Sequence, residues 1–440
     1  MEAATKTAQP KTSVKVSIWI EDKIFNGQSL KEYVRGLFTP FNLIAAALIL
    51  PGLYLIATRF LFGLAAVTGA SNEQPWGLFL SFGLFAGVPW SATGFVLGTA
   101  VYVFGVKDYH PVVKNAILIG FLGYLFAVVF LMIDLGRPWR IYYPMFISFG
   151  PASVMFLVAW HVALYLTVQF LEFSPSVFEW LGARGLRNMA KDVTIGLTIL
   201  GIILSTLHQS ALGAMFLLAP GKLHPLWYTP YLPWLFLVSA IATGISAVIV
   251  VTALNVRFLK QKADFHYLAN ADRITVGLGK AASLVLASYF ALKVIALAHG
   301  DHWDLLDTPY GYWYGVEMIG FVLTPCILFA VAGKTKNVGL VRFTALLTVI
   351  GVIINRLNVS LIAFNWNLPG RELFTSSEVI IVVSVVTMEV LVYRWIVNRM
   401  PVLREHPDFA EEVVSAAVHE ENQASAPAPV PAAVRAELRR

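Results

Sequence analysis

The stretch PVVKNAILIGFLGYLFAVVFLMI, residues 111–133, decides the fold class, because Lys114 is its single charged side chain. At a helical rise of about 1.5 Å per residue, the stretch is long enough to cross the hydrocarbon core of a bilayer. Its apolar residues do not alternate as in a barrel strand, so it predicts a helix. With nine similar stretches, the predicted segments are 41–67, 76–104, 111–133, 145–171, 193–219, 231–256, 274–298, 314–333, 341–365 and 376–397.

The composition indicates an all-α integral membrane protein. Of the 440 residues, 58% are hydrophobic and 13% are charged, whereas soluble domains carry about 25% charged residues. These values exclude a soluble enzyme and a disordered chain. Cys326 is the one cysteine, which excludes a disulfide and an all-cysteine iron–sulfur cluster within this chain. If the protein takes part in redox chemistry, the metal centres must lie on a partner.

The lysine and arginine positions predict the orientation. On the N-terminal side of the membrane we count 25, against four on the opposite side. Ten crossings with this bias place both termini in the cytoplasm, and we expect no cleaved targeting sequence. The expected divisions are a cytoplasmic segment (1–38), a transmembrane domain (39–398) and a cytoplasmic, largely disordered tail (399–440).

Ionisable and polar residues within the segments carry the strongest functional signal, because such groups are costly in lipid. Most fall in the outer half of their segments, and two lie deeper, His161 and Glu389. We expect Arg59 and Lys293 to extend their charged ends to the interface. Arg356 needs a buried partner, for which Glu317 at a similar depth is the natural candidate.

A quinone suits this set of side chains. Its reduction to quinol takes two electrons and two protons, so the site needs a donor at each carbonyl, a proton-conducting group and an apolar mouth. Histidines and carboxylates titrate near neutral pH when their surroundings shift them. The residue types are present at His208, Gln209, Asp134, Glu317 and Arg356. The sequence leaves open whether these side chains converge.

Haem is the competing cofactor. A haem with two histidine ligands needs both at compatible depths on facing helices. Only His161 and His208 lie deep within segments, and the helical rise sets them about 8 Å apart in depth. We therefore expect no haem in this chain and no metal site.

The outer loops are short and aromatic. They contain HPLWYTPYLP (224–233), HGDHWDLLDTPYGYWY (299–314) and NWNLPGREL (365–373). Such loops are typical either of an interfacial aromatic belt or of a docking surface for an extramembrane partner. The candidate docking residues are His224, Trp227, Tyr228, Trp303, Trp313 and Trp366.

Several stretches resemble the polysulfide-reductase NrfD-type family of quinone-interacting membrane subunits. They are GVPWSATGFVLGTAVYVFG (87–105), DLGRPWR (134–140), LHQSALGAMFLLAPGKLHPLW (207–227), NRLNVSLIAFN (355–365) and MEVLVYRWIVNRMPVL (388–403). They look most like the ten-helix "b-type cytochrome" membrane subunit of periplasmic nickel–iron hydrogenases and related menaquinone-reductase complexes. Ala211 stands where the family often has serine.

The resemblance implies two four-helix bundles with two additional helices, and a menaquinone or ubiquinone site near the periplasmic face. It also implies iron–sulfur clusters on a docked ferredoxin-like subunit, beside a catalytic nickel–iron hydrogenase or multihaem cytochrome. The family's DLGRP and histidine positions match Asp134–Pro138 and His208. The expected quinone-binding residues are His208, Gln209, Asp134, Arg137, Trp139 and Arg356. The expected proton-transfer residues are Asp134, Glu317, His208, Glu389 and His161.

We therefore expect a membrane subunit, not catalytic alone, that passes electrons between a periplasmic iron–sulfur partner and the quinone pool of a bacterial inner membrane. Proton movement would accompany turnover if the protons come from the cytoplasm. Two alternatives stay open. A secondary transporter would use Arg356 and Glu317 to bind its substrate, although Pro51, Pro89 and Pro325 show no clear inverted repeat. A passive membrane anchor would explain the aromatic loops but not the buried polar residues.

Overall fold

The computed structural model describes residues 19–71, 74–369 and 373–405 and contains ten helices long and apolar enough to cross a membrane. We number them α1 to α10: Pro40–Phe62, Phe79–Val103, Lys107–Asp134, Val154–Leu181, Thr194–Leu218, Leu232–Phe258, Phe265–Gly300, Pro309–Thr335, Val338–Ile362 and Ser376–Arg399. In the described part of the chain there is no β-strand, only an isolated bridge between Leu223 and Phe364. The predicted all-α fold of ten helices is confirmed. The terminal residues 1–18 and 406–440 and part of the loop at 365–373 lie outside the described residues.

The helices pack as two bundles of four with two additional helices. Neighbouring helices α2 to α5 pack along the chain, and so do α6 to α9, while α6 also packs against α2, α5 and α9. Helix α1 lies at the edge and packs on α10, which in turn packs on α3. This confirms the bundle arrangement that the resemblance implied.

Two glycines let neighbouring helices approach closely, one between the two bundles and one between the two additional helices. A Cβ built on Gly244 of α6 would lie 2.8 Å from the carbonyl carbon of Ala92 in α2, so the bundles meet here through small residues. A Cβ on Gly52 of α1 would collide with the side chain of Ser384 in α10. Both contacts place backbone against neighbouring helix with no space for a larger side chain.

The fourth helix differs from its predicted bounds of 145–171. A short helix at Tyr143–Phe146 precedes it, and α4 begins only at Val154, where the side chain of Ser153 accepts a hydrogen bond from the Phe156 amide. Pro151 disfavours helical conformation in the residue before it, which explains the late start. The helix then continues past Glu172 to Leu181 and ends at Gly182, which has a φ of +74°. The ten residues that follow the predicted end, nearly three turns, are therefore also helical.

Candidate functional site

The buried polar side chains around His208 and those around Glu317 form two separate groups, one in each bundle. We call the first the histidine cluster: Tyr124 of α3, His161, Tyr165 and Gln169 of α4, and Ser205, His208 and Gln209 of α5. We call the second the ion-pair cluster: Trp227, Ser239, Tyr289, Lys293, Glu317, Asn355, Arg356 and Asn358. Within the described residues, no hydrogen bond or ion pair joins the two. The expected single site is thus two groups.

His208 is the centre of the histidine cluster and is fully buried. Ser205, His208, Gln209 and Leu212 are spaced so that one face of α5 turns inward, and all four are buried there. The ring of Tyr124 meets the His208 ring edge to face, with 5.4 Å between centroids. His161 of the adjacent helix α4 lies within electrostatic range of His208.

The histidine cluster contains an unusual number of buried polar atoms without partners. Both ring nitrogens of His208 have no hydrogen-bond partner. The side-chain oxygen of Gln209 has none either. The hydroxyls of Tyr124 and Tyr165 make only loose contacts, to Ser91 and to Ser205 and Gln169 respectively. Buried polar groups are normally hydrogen-bonded, so these atoms are suited to bind a polar ligand or water.

Gln209 is held in place from one end only. Its Nε2 donates to the backbone oxygen of Val88 in α2 at 3.2 Å, which leaves Oε1 facing no partner. The Tyr124 and Tyr165 rings meet edge to face at 4.7 Å and support the same region from the side. The imidazole of His208 is therefore packed among oriented side chains while its own nitrogens stay available.

A carboxyl that sequence reasoning missed extends the histidine cluster along α4. Glu172 is half-buried, accepts a hydrogen bond from Thr198 at 3.1 Å, and lies within electrostatic range of Tyr165. His161, Tyr165, Gln169 and Glu172 follow one another at steps of four, four and three residues, which places them on one helical face. This spacing was readable from the sequence, and it spans about 16 Å of helix.

Glu317 organises the ion-pair cluster from a buried position on α8. Lys293 of α7 donates to its Oε1 at 3.1 Å, and Asn355 donates to the same oxygen at 2.8 Å. Its Oε2 accepts from Trp227 at 2.8 Å and from Asn358 at 2.6 Å. Four donors from α7, α9 and the loop before α6 therefore converge on one carboxylate, as expected for a buried ionised acid.

The expected pairing of Arg356 with Glu317 is wrong. The ion pair of Glu317 is with Lys293, whereas Arg356 donates to Asn355 at 2.9 Å, to the Phe236 carbonyl at 3.0 Å and to Ser239 at 2.8 Å. Its guanidinium also lies 3.7 Å from the centre of the Phe236 ring. Asn355 bridges the two charged residues, because its amide contacts both.

Arg59 and Lys293 do not extend to the interface as expected, since each is only 4% exposed. Lys293 is drawn inward by the Glu317 carboxylate. Arg59 donates to the backbone oxygens of Ile133, Asp134 and Leu135 and so caps the end of α3. Acceptors on a neighbouring helix thus bind both cations, which we had expected to reach the membrane interface.

The DLGRPWR stretch begins at Asp134, the last residue of α3, and continues into the loop that follows. Asp134 is half-buried beside the Arg59 guanidinium and forms no ion pair with Arg137, which is exposed. Trp139 is 66% exposed. Arg137 and Trp139 are therefore not among the buried neighbours of His208. The expected quinone-binding residues do not all lie in one buried site.

Glu389 also lies outside both clusters. It is half-buried on α10 and has no hydrogen-bond partner in the part of the chain that the structure describes. One turn further along α10, the Tyr393 hydroxyl donates to Asn115 of α3 at 2.6 Å and contacts Asn255 of α6. A separate polar contact between three helices therefore lies near Glu389.

The expected docking residues divide by exposure. His224 and Trp227 are 4% and 2% exposed, so they are not available to a partner as the sequence suggested. His224 packs against the rings of Tyr310 and Trp366 at 4.6 and 4.7 Å, and Trp227 is engaged by Glu317. Trp303 and Trp366 are 49% and 37% exposed. Tyr228 and Trp313 are half-buried, and Trp313 donates to Asn358 at 2.8 Å.

Burial lowers the pKa of His224, which lies in the loop before α6, to about 4, with the nearby His302 as a second cause. Its Nδ1 accepts a hydrogen bond from the Leu226 amide at 3.2 Å, which fits a neutral ring. Among the described residues, no group of three or more His, Cys, Asp and Glu side chains is placed to hold a metal ion.

Comparisons with known proteins agree on one family. The family described as "Polysulphide reductase, NrfD" matches residues 66–364. A protein of Nitratidesulfovibrio vulgaris (strain Hildenborough) is 46% identical over 86% of this chain and 98% of its own length. The "Probable Ni/Fe-hydrogenase 2 b-type cytochrome subunit" of Escherichia coli K12 is 30% identical over 82% of this chain and 92% of its own length. The "Menaquinone reductase, integral membrane subunit" of Nitratidesulfovibrio vulgaris is 27% identical over 69% of this chain and 76% of its own length.

Proposed function

The chain belongs to the NrfD polysulphide reductase family of membrane subunits of quinone oxidoreductase complexes, and we propose that it passes electrons between a periplasmic iron–sulfur partner and the quinone pool. The donor or acceptor is a catalytic subunit of the same complex, of the hydrogenase or multihaem cytochrome class. The membrane is the bacterial inner membrane, with both termini on the cytoplasmic side.

The observation that carries this proposal is the pair of unpartnered ring nitrogens on His208, buried among oriented polar side chains. A quinone carbonyl accepts hydrogen bonds, and a protonated imidazole nitrogen donates one. Gln209 and Tyr124 lie beside His208 and supply further polar atoms for the same headgroup. The menaquinone reductase relative supports a quinone as the ligand.

The electrons come from outside this chain. Cys326 alone cannot hold an iron–sulfur cluster, and cluster ligation takes several thiolates. The exposed rings of Trp303 and Trp366 offer part of a docking surface at the end where α5 and α9 finish, the end nearer to His208. A partner bound there would bring its terminal cluster toward the quinone.

The protons move through the histidine cluster. Reduction to quinol adds one proton to each carbonyl oxygen, and His208 is the nearest titratable group to the proposed headgroup position. His161 and Tyr165 continue the polar face of α4 toward Glu172, on the side predicted to face the cytoplasm. Asp134 offers a second route at the outer end of α3. Glu317 and Arg356 lie in the other bundle, so we place no quinone carbonyl against them.

The experiment that tests the proposal replaces His208 with alanine in the intact complex and measures electron transfer to a menaquinone analogue. We expect quinone-coupled turnover to fall by about a hundredfold, as for loss of a positioned proton donor. The exposed His266 of α7 provides the matched control, H266A, which should retain the wild-type rate. Artificial dye reduction by the catalytic partner should be unchanged in both. Undiminished quinone turnover in H208A would remove His208 from the site.

A further inference from the structure

The ion-pair cluster contains more positive than negative charge among buried side chains. Lys293 and Arg356 each carry a positive charge, and Glu317 is the single carboxylate that contacts this group. All three side chains are at most 4% exposed. Burying an uncompensated charge in a low-dielectric interior costs several kcal/mol unless a counter-charge accompanies it. The formal charge of the cluster is therefore one unit positive.

Neutral partners do not remove this charge. The acceptors around Arg356 are an asparagine side chain, a backbone carbonyl and a serine hydroxyl, and its Nε has no partner. The Glu317 carboxylate is already shared among four donors. No further carboxylate among the described residues contacts either cation. The structure thus offers hydrogen bonds to the guanidinium but no second negative charge.

A narrow cavity of about 10 Å³ lies beside Lys293. Its lining includes Lys293, Tyr289, Asn355 and Tyr314, together with Leu226, Trp227 and Thr229 of the loop before α6. The Tyr289 side chain is 3% exposed, and its hydroxyl has no hydrogen-bond partner. Tyr289 also lies within electrostatic range of Lys293, Glu317 and Arg356. A buried donor without an acceptor and an unbalanced positive charge therefore meet in one cavity.

We propose that this cavity binds a small monovalent anion of the chloride class, held by the Lys293 ammonium and the Tyr289 hydroxyl and reached from the outer loops. Bound there, the anion accepts a hydrogen bond from the hydroxyl that otherwise has none. Its charge neutralises the cluster as a whole. The narrow cavity and the ring of Tyr314 exclude larger anions. The proposal does not depend on the quinone function, because it concerns the other bundle.

The test measures thermal unfolding of the purified full-length protein at constant ionic strength, with sodium gluconate replaced stepwise by sodium chloride. A ligand that binds only the native state raises the unfolding temperature in a saturable way. We expect such a rise with chloride and with bromide. Equal unfolding temperatures in chloride and gluconate would overturn the proposal.

Variants locate the site. Tyr289→Phe removes one donor without changing the shape of the ring, and should raise the half-saturating chloride concentration about tenfold. Glu317→Gln removes the negative charge and should lower that concentration tenfold or more, since the coulombic repulsion of the anion is lost. A merely structural role for Glu317 would not strengthen anion binding. If E317Q does not fold, Y289F alone decides.

Tyr124→Phe is the matched control, because Tyr124 is also a fully buried tyrosine but lies in the histidine cluster. It should leave the chloride dependence unchanged. Crystals soaked in bromide should show an anomalous peak beside Tyr289. A peak elsewhere, or equal chloride dependence in Y289F and the wild type, would show that the cavity does not hold the anion.

Discussion

Lys293 of α7 donates a hydrogen bond to Glu317 of α8 at 3.1 Å, and both side chains are buried in the membrane domain. This ion pair links two neighbouring helices of the second bundle. Trp227, Asn355 and Asn358 complete the coordination of the carboxylate from the outer loop and α9. The Glu317 side chain therefore connects α8 to α7, to α9 and to the loop before α6. Its position in the sequence does not indicate this structural role.

Removing one partner of this ion pair should destabilise the protein strongly. The K293M variant leaves a buried carboxylate without its cation, for which we expect a loss of about 3–5 kcal/mol in the free energy of unfolding. The K293M/E317Q double variant removes both charges and should recover a large part of that loss. Thermal or denaturant unfolding of the purified protein measures both. A double variant less stable than K293M would contradict the ion pair as the main contact.

Glu172 should be required for proton delivery during quinone reduction. The E172Q variant keeps the hydrogen bond from Thr198 possible but cannot release a proton, so quinone-coupled turnover at neutral pH should fall by about a hundredfold. The measurement uses the intact complex in vesicles, with proton uptake followed by a pH-sensitive dye. The companion variant E389Q tests the other expected route, because Glu389 lies on α10 outside the histidine cluster. Slow turnover in E389Q together with normal turnover in E172Q would assign the route to α10 instead.

His224 should make stability depend on pH below 6.5. Burial lowers the pKa of His224 to about 4, whereas the unfolded chain binds a proton near the ordinary value of 6.5. The unfolded state therefore gains protons first, and the stability present above pH 6.5 falls as the pH drops toward 4, by up to about 3 kcal/mol.

The H224N variant tests this dependence. Its Oδ1 can accept the Leu226 amide as Nδ1 does, but asparagine does not titrate, so the decline in stability between pH 6.5 and 4 should be shallower. The exposed His266 provides the control variant H266N, which should keep the wild-type slope. Unfolding curves measured at several pH values compare the three proteins. Identical slopes in H224N and wild type would contradict the assignment.

Much of the fold was predictable from sequence because each membrane crossing has a length that lipid imposes. All ten predicted segments overlap observed helices, and the errors lie at their ends. The predicted start at 145 fails because Pro151 interrupts an apolar run, and the predicted end at 171 fails because hydrophobicity ends before the helix does. Hydrogen bonding continues α4 to Gly182, where a positive φ ends it.

The site was less predictable, because a position along a helix gives depth but not direction. Glu317, Arg356 and His208 were all assigned to the outer half of their segments, yet the structure places the first two in the second bundle and His208 in the first. The partner of Glu317 was missed for a related reason. Lys293 was assigned to the interface by its distance from the helix end, but the carboxylate on α8 draws it inward. Glu172 was missed although its spacing on α4 was visible.

The most direct test of the proposed function is a structure of the intact complex with a menaquinone analogue bound. We predict that one carbonyl oxygen of the ring lies within hydrogen-bond distance of a His208 ring nitrogen, about 3 Å, with Gln209 and Tyr124 around the headgroup. A headgroup bound against Glu317 and Lys293, or at the opposite end of the bundles near Trp180 and Arg399, would contradict it.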